Sequence, residues 1–187
     1  MSKIVEVKKN DLRLAFRQAA AVYLRRPDVS MRLVENLQNI LPKSARIGAF
    51  RAKSDEVSID PLLDGAEYRF AYPRVQGDDL IFYETKSTAD FVLSELGIQE
   101  PHPLKSDRVH LAELDVLLIP GVAFDRKLTR LGRGRGFYDR ALENYQGLKI
   151  GIASSAQVSN EDLPRAHHDV VMDLLVTDQF ILKRFDS

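Results

Sequence analysis

The chain has 187 residues, 44% of them hydrophobic and 29% charged, which is typical of a single globular domain over residues 1–187. Its 27 lysine and arginine residues balance 27 aspartate and glutamate residues, so binding of nucleic acid or membranes through overall charge is not expected. Because the chain lacks cysteine, a signal-peptide pattern and any run near the roughly 20 apolar residues of a membrane span, we expect a cytoplasmic protein without disulfides or thiolate metal sites.

The N-terminal third of the chain predicts two helices before the first strand. Apolar residues recur at helical spacing from Lys8 to about Leu24. A second helix is expected from Ser30 to Ile40, and the segment ARIGAF at 45–50 is typical of a strand. An Asp-Pro pair then predicts the start of a short helix that covers Leu62 to about Ala66.

The middle of the chain predicts two strands followed by a helix. The strands are expected at Tyr68–Tyr72 and Leu80–Thr85. The helix is expected from Thr88 to Leu96, with Gly97 at its end. The following segment IQEPHPLKS contains two prolines and is predicted to be irregular.

The C-terminal part contains the clearest strand, from Leu114 to Pro120. Its continuous apolar run is typical of a central parallel strand that is covered on both faces. A helix at Gly136–Tyr145, a strand at Leu148–Ala153 and one or two strands between Leu174 and Leu182 are expected after it. The alternation of strands and helices predicts a three-layer α/β/α fold with a largely parallel mixed sheet.

The most informative segment is RKLTRLGRGRGFYDR at 126–140, which has six basic residues and one acidic residue. Gly132, Gly134 and Gly136 allow its backbone N–H groups to approach an anion. Since ligands of open α/β sheets bind between a strand end and the next helix, we expect a phosphate site here. A solvated, flexible turn is the alternative. The loop lacks the Gly-Lys-Ser/Thr sequence of a Walker A motif.

Three other features each allow two interpretations. Asp139 is either a partner of the helix dipole or a ligand of Mg²⁺ beside phosphate oxygens. Lys9, Arg13 and Arg17 form a basic stripe that is either a solvated face or part of an anion site. The sequence His-His-Asp at 167–169 indicates either an exposed histidine pair or metal binding and acid–base chemistry. A G-x-S-x-G motif, which would indicate a serine nucleophile, is absent from the sequence.

Residues 117–142, LLIPGVAFDRKLTRLGRGRGFYDRAL, resemble the signature of the 5-formyltetrahydrofolate cyclo-ligase family, which has a PGxxFD segment and then RLGxGxGYYD. Further similarities to the family, in chain order, are Lys9-x-x-x-Arg13, Asp55-Glu56, Tyr72-Pro73-Arg74, the GIxEP pattern at 97–101, and Pro164 with His168-Asp169. The resemblance therefore extends over nearly the whole chain.

The resemblance implies ATP- and Mg²⁺-dependent cyclisation of 5-formyltetrahydrofolate to 5,10-methenyltetrahydrofolate, with release of ADP and phosphate. In this chemistry ATP phosphorylates the formyl oxygen, N10 of the folate attacks the activated carbon, and phosphate leaves. Such a reaction is catalysed by positioning and charge neutralisation, without a protein nucleophile. The implied partner is the folate, including polyglutamylated forms, and the implied state is a monomer without nucleic-acid or membrane partners.

The resemblance also implies a role for each residue that matches a family motif. The implied ATP-binding residues are Lys9, Arg13, Arg130, Leu131, Gly132, Arg133, Gly134, Arg135, Gly136, Phe137 and Tyr138. The implied folate-binding residues are Arg51, Glu56, Arg133, Gly134, Arg135, Gly136 and Phe137. Arg133 and Tyr138 are the implied catalytic residues, and Asp139 and Asp169 the implied Mg²⁺ ligands.

The sequence departs from the family pattern at three places. His167 stands where the family commonly has glutamate, which bears on how the metal site is organised. Arg51 replaces an apolar residue near the pterin, which bears on substrate preference. The spacer at 126–129 lacks a glycine, and we expect this to change only the turn geometry.

Other functions compete with the cyclo-ligase interpretation. One is a family relative that binds folate or a nucleotide with weak or altered catalytic activity. Others are an α/β protein acting on a sugar phosphate and an RNA-binding protein that uses the arginine loop. Retention of both implied metal ligands, Asp139 and Asp169, favours catalysis, and the sequence has neither an aromatic RNA-recognition motif nor a wide basic face.

Overall fold

The computed structural model describes residues 3–63, 68–85, 88–166 and 169–184. Within these residues the α-helices are α1 (Lys3–Tyr23), α2 (Val29–Gln38), α3 (Asp60–Leu63) and α4 (Phe137–Leu142). The strands are β1 (Arg46–Gly48), β2 (Arg69–Gln76), β3 (Asp79–Glu84), β4 (Phe91–Leu93), β5 (Gln99–Pro101), β6 (Asp107–Val109), β7 (Val116–Pro120), β8 (Ala123–Asp125), β9 (Arg130–Leu131), β10 (Leu148–Ile152), β11 (Val158–Ser159), β12 (Leu174–Val176) and β13 (Ile181–Lys183).

The main sheet has the strand order β13-β12-β10-β7-β1-β2-β3-β6. Its central strands, from β12 to β2, pair in parallel, whereas β13 at one side and β3 and β6 at the other pair antiparallel. This arrangement confirms the predicted largely parallel mixed sheet. β8 and β9, which follow the central strand β7 along the chain, form a small sheet with β11 in the order β11-β8-β9. The strands β4 and β5 form a separate hairpin.

Helices cover both faces of the main sheet. Side chains of β7 alternate between the faces, so Leu118 belongs to the same buried cluster as Leu33 of α2. Its neighbour Ile119 belongs to the cluster that contains Leu142 of α4. The apolar run of β7 is therefore buried on both sides, as its sequence predicts, and the three-layer α/β/α architecture is confirmed.

The predicted helix at Thr88–Leu96 is wrong. Only a single 3₁₀ turn forms at Thr88–Asp90, and β4 follows and pairs with β5 in the segment predicted to be irregular. Phe91 packs edge-on against Tyr72, with ring centroids 4.9 Å apart. Gly97, at a φ of 68°, supplies the left-handed conformation of the hairpin turn rather than a helix end. Tertiary packing thus outweighs the local helical pattern.

Most other differences concern the ends of elements. α1 begins five residues before the predicted start, and α4 ends at Leu142 rather than Tyr145. α3 is described as Asp60–Leu63, and the remainder of the predicted helix at 64–66 lies outside the described residues. The short strands β6, β8, β9 and β11 were not predicted. Among the described residues, none of the helices combines the length and apolar content that a membrane span requires.

Close packing at Gly151 of β10 gives a test of the core. A Cβ atom at this position would lie 2.6 Å from Cε1 of the fully buried Phe124. We expect Gly151→Ala to lower the free energy of unfolding by about 1–3 kcal/mol, because the overpacked core must shift. Urea unfolding measures this change. In a Phe124→Leu background the same substitution is expected to cost less than half as much, and equal costs in both backgrounds would contradict this packing.

Candidate functional site

The glycine-arginine loop lies at the carboxyl end of the central strand. β7 ends at Pro120, and the chain passes through β8 and β9 before residues 132–136 lead into α4. Gly134 and Gly136 have φ values of 99° and 68°, which side chains other than glycine rarely adopt. The loop therefore occupies the position where open α/β sheets bind their ligands.

One side of this loop forms the wall of a cavity of about 530 Å³, which we call the first cavity. Apolar and aromatic side chains from several elements contribute to its surface, among them Phe50, Tyr72, Leu80, Ile98 and Phe137. The predicted site residues that line it are Arg13, Arg51, Glu56, Arg130, Gly132, Arg133, Gly134, Arg135, Gly136, Phe137, Tyr138 and Asp139. It combines an apolar surface with many cationic groups.

Arg133 is held by two neighbouring acidic residues from the turn after β1. Its Nε donates to Oε1 of Glu56 at 2.9 Å, and its two terminal nitrogens donate to the two oxygens of Asp55. The second oxygen of Glu56 accepts a hydrogen bond of 2.9 Å from the backbone N–H of Lys53. Burial alone would raise the pKa of Asp55, but hydrogen bonds from Arg133 and Arg17 outweigh burial and lower it.

Arg130 is buried and connects the loop to α4. Its Nη2 donates to Oδ1 of Asp139 at 2.7 Å, and its guanidinium lies 5.5 Å from the centre of the Tyr138 ring. Its Nε is buried and has no hydrogen-bond partner among the described residues. A Cβ atom at Gly132 would lie 2.9 Å from Nη1 of this arginine, so a side chain at this position would displace the guanidinium. Burial and the nearby Glu56 carboxylate raise the pKa of Tyr138.

The basic stripe of α1 faces the site. Lys9 is buried, and its Nζ donates to Oδ2 of Asp169 at 2.8 Å. Arg13 donates from Nε to the carbonyl oxygen of Gly132 at 2.9 Å, and Arg17 donates to Asp55 at 2.6 Å. A purely solvated face is therefore excluded for Lys9 and Arg13, whereas the side chain of Arg17 is 55% exposed.

A second cavity, of about 770 Å³, lies on the other side of the loop. Gly136 and Asp139 line both cavities, so this part of the loop separates them. The second cavity is also lined by Asp169 and by the basic residues Lys127, Arg140, Lys149, Arg165 and Arg184. Asp139 and Asp169 thus share one cavity although they are distant in sequence. No cluster of three or more potential metal ligands occurs in the parts of the chain that the structure describes.

The remaining predicted site residues have different surroundings. Leu131 is buried in a small cluster with Ala123 and Leu163, so its side chain faces the core. Lys9 lines neither cavity and contacts Asp169 from α1. Arg51 lines the first cavity and is held by Asp60, with 2.8 Å between Nη1 and Oδ1. His167 and His168 lie outside the described residues.

The sequence indicated only two of the five basic residues that line the second cavity. Lys127 and Arg140 lie in the loop segment, but Lys149, Arg165 and Arg184 come from three other segments without a recognisable motif. Asp55 was noted only as the neighbour of Glu56. Its contact with Arg133 joins residues 78 positions apart, and no pattern within the single sequence reports such a pairing.

Glu100 of β5 is a buried acid in the wall of the first cavity, with 4% of its surface exposed. Its Oε2 lies 3.7 Å from Nη1 of Arg74, and its Oε1 accepts a long hydrogen bond of 3.5 Å from the backbone N–H of Val75. Burial raises the pKa of Glu100, and these two groups lower it by less. The charged carboxylate is therefore only partly compensated.

Comparisons with known proteins agree on one family. The model of the 5-formyltetrahydrofolate cyclo-ligase family matches residues 8–178. A curated 5-formyltetrahydrofolate cyclo-ligase from Haemophilus influenzae is 45% identical over 87 residues, which cover 44% of this chain and 46% of that protein. The Escherichia coli K12 cyclo-ligase is 39% identical over 102 residues, which cover 53% and 56%. The matched segments thus span about half the length of these curated relatives.

Solved structures extend the similarity over more of the chain. The NMR structure of Aquifex aeolicus 5,10-methenyltetrahydrofolate synthetase has a TM-score of 0.83 and 33% identity, and covers 96% of this chain and 94% of that one. The synthetase from Mycoplasma pneumoniae has a TM-score of 0.70 and 25% identity, and covers 91% and 99%.

The pKa of Glu100 predicts a pH dependence of stability. Because this pKa is raised on folding, the folded protein binds more protons than the unfolded chain above the ordinary glutamate pKa, so stability falls as pH rises. Between about pH 4 and about pH 7, the wild type should lose stability relative to Glu100→Gln in urea unfolding.

The exposed Glu113 provides a control of opposite sign. Hydrogen bonds from the His110 backbone and from Arg46 lower its pKa, so the wild type should gain stability relative to Glu113→Gln as pH rises toward the ordinary glutamate pKa, below about pH 5. The same sign for both glutamates would contradict the assignment.

Proposed function

The chain belongs to the 5-formyltetrahydrofolate cyclo-ligase family, and we propose that it catalyses the ATP-dependent cyclisation of 5-formyltetrahydrofolate to 5,10-methenyltetrahydrofolate. The observation that carries this proposal is the glycine-arginine loop with a cavity on either side. One cavity combines an apolar and aromatic surface with cationic groups, and the other has five basic residues and three carboxylates. A reaction between a flat, partly apolar substrate and a polyphosphate requires such an arrangement.

The chemistry requires activation of a poor leaving group. The formyl oxygen attacks the γ-phosphorus of ATP, ADP departs, and the formyl carbon becomes electrophilic. N10 then attacks this carbon and loses its proton, and the carbon–oxygen bond breaks to release phosphate. Because negative charge moves between phosphoryl oxygens throughout, positioned cations lower the barrier more than a protein nucleophile would.

The folate is assigned to the first cavity. Phe50, Tyr72 and Phe137 offer aromatic surface for a pterin ring, and Glu56 offers a carboxylate that can accept hydrogen bonds from the ring nitrogens. Arg135 lines the same cavity and is available to the glutamate carboxylates of the substrate. Arg51, which is paired with Asp60, would lie near the pterin. The loop residues from Arg133 to Phe137 would contact the folate from the opposite wall.

The nucleotide is assigned to the second cavity and to the adjoining face of the loop. Gly136 and Asp139 line both cavities, so the phosphates would extend past them toward Arg13 and the segment from Arg130 to Tyr138. Lys9, which contacts Asp169, would add positive charge nearby. The five basic side chains of the second cavity support this assignment, because they would offset the charge of a triphosphate. For Leu131, only backbone atoms are suited to this role, since its side chain lies in the core.

We assign Mg²⁺ to Asp139 and Asp169. Their carboxylates line the same cavity, and Mg²⁺ is commonly bound by one or two carboxylates together with substrate phosphates. When bound, the ion would neutralise phosphate charge. Arg130 and Lys9, the current partners of these two carboxylates, would keep them in place and contribute positive charge nearby.

Arg133 and Tyr138 are assigned the catalytic roles. Arg133 lines the first cavity and presents a planar guanidinium suited to phosphoryl oxygens. Tyr138 stays protonated because burial raises its pKa, so it can donate a hydrogen bond near the reacting group. Polyglutamylated substrate, a monomeric state and a cytoplasmic location stay predictions.

A direct assay tests the proposed function. Purified protein is mixed with 5-formyltetrahydrofolate, ATP and Mg²⁺, and the near-ultraviolet absorbance of methenyltetrahydrofolate is followed. We expect product only when all components are present.

Arg133→Ala and Asp139→Asn should lower kcat by roughly 10²–10³-fold, because each removes a preorganised charge. Asp28→Asn, which alters an exposed pair with Arg32, is the control and should retain wild-type turnover. Turnover of the first two variants at the wild-type rate would contradict the assigned roles.

Substitution of Glu56 separates the two substrates. We expect Glu56→Gln to raise the KM for folate by roughly 10-fold, because a charged hydrogen-bond acceptor is lost. The KM for ATP should change by less than about 2-fold, since the nucleotide is assigned to the other side of the loop. Steady-state kinetics with each substrate varied in turn measures both constants. A larger effect on ATP than on folate would exclude this placement of Glu56.

A further inference from the structure

Asp55 lies behind the first cavity. Glu56 and Arg133 line that cavity, whereas Asp55 is not among its lining residues and is 9% exposed. Its carboxylate accepts hydrogen bonds from both terminal nitrogens of Arg133 and from Nε of Arg17. Asp55 is therefore connected to the site only through its hydrogen bonds with Arg133 and Arg17.

Arg133 depends on side-chain contacts for its position. It stands between Gly132 and Gly134, and a backbone with glycine on both sides does little to restrict where the side chain points. Asp55 and Glu56 provide the ion pairs that hold its guanidinium among the described residues. Glu56 is the acid assigned to the folate, so its oxygens would be shared with the substrate. Asp55 is the anchor that the substrate does not use.

The geometry of the pair favours precise positioning. Two terminal nitrogens of one guanidinium meet two oxygens of one carboxylate, which is the planar, bidentate arrangement that fixes orientation as well as distance. The second donor, Arg17 of α1, ties the carboxylate itself to a long helix. Two positive partners also keep Asp55 charged, because they lower its pKa despite burial.

We propose that Asp55 is a positioning residue for the cyclisation, which holds the Arg133 guanidinium in the wall of the first cavity. This inference rests on the proposed function. A cation that is already in place stabilises the charge that develops during phosphoryl transfer without reorganising at that moment. Loss of the anchor should therefore lower the rate of the chemical step more than the affinity for either substrate.

The test is a double-mutant cycle between Asp55 and Arg133. Asp55→Asn keeps the size of the side chain but removes its charge and one acceptor. We expect kcat to fall by roughly 10–100-fold, with the KM of each substrate within about 3-fold of wild type. In an Arg133→Ala background, Asp55→Asn should cause no further loss, because Asp55 acts through that arginine. Asp55→Glu retains a carboxylate within reach and should give a kcat between those of wild type and Asp55→Asn.

Thermal unfolding shows whether each variant is folded, and Asp28→Asn serves as the matched control. If Asp55→Asn does not fold, Asp55→Glu provides the test. The proposal requires that Asp55→Glu lower kcat in the otherwise wild-type protein but cause no further loss in the Arg133→Ala variant. Wild-type kcat in Asp55→Asn, or losses that multiply with those of Arg133→Ala, would overturn the positioning role. If the wild type itself forms no methenyl product, the proposed function fails instead, so the two failures are distinguishable.

Discussion

Buried charges at this site must be paired, and this requirement links distant parts of the chain. Lys9 of the first helix meets Asp169 near the C-terminus, Arg130 meets Asp139 at the start of α4, and Arg133 meets the acids after β1. An unpaired buried charge costs several kcal/mol, so each pair constrains where its two segments can lie. The α1 helix, the acidic turn and the glycine-arginine loop are thereby held together over the carboxyl ends of the parallel strands.

The glycines of the loop make this crowding of charge sterically possible. Gly132 leaves room for the Arg130 guanidinium, and Gly134 and Gly136 adopt left-handed conformations that let the chain turn into α4. Arg13 lies close behind Gly134 and binds the carbonyl oxygen of Gly132. Glycine therefore provides space as well as backbone freedom, and the loop lines two neighbouring cavities that share Gly136 and Asp139.

The sequence predicted those features that local patterns encode. The apolar run before Pro120 predicted a central strand, and the alternating glycines and arginines predicted an anion site after it. The helix expected at 88–96 failed because Phe91 packs on Tyr72 from β2, a contact that periodicity does not report. Likewise, the bidentate pair between Asp55 and Arg133 and the gathering of Lys149, Arg165 and Arg184 depend on long-range folding. Family resemblance supplied candidate roles, and the structure supplied the partners of each candidate.

If ATP phosphorylates the formyl oxygen, as we propose, that oxygen must leave the folate with the released phosphate. The protein is mixed with 5-formyltetrahydrofolate labelled with oxygen-18 in the formyl group, together with ATP and Mg²⁺. Mass spectrometry then measures the label in the released phosphate. We expect one labelled oxygen in each phosphate formed, because the carbon–oxygen bond breaks after phosphoryl transfer. Unlabelled phosphate, with the label released as water, would contradict it.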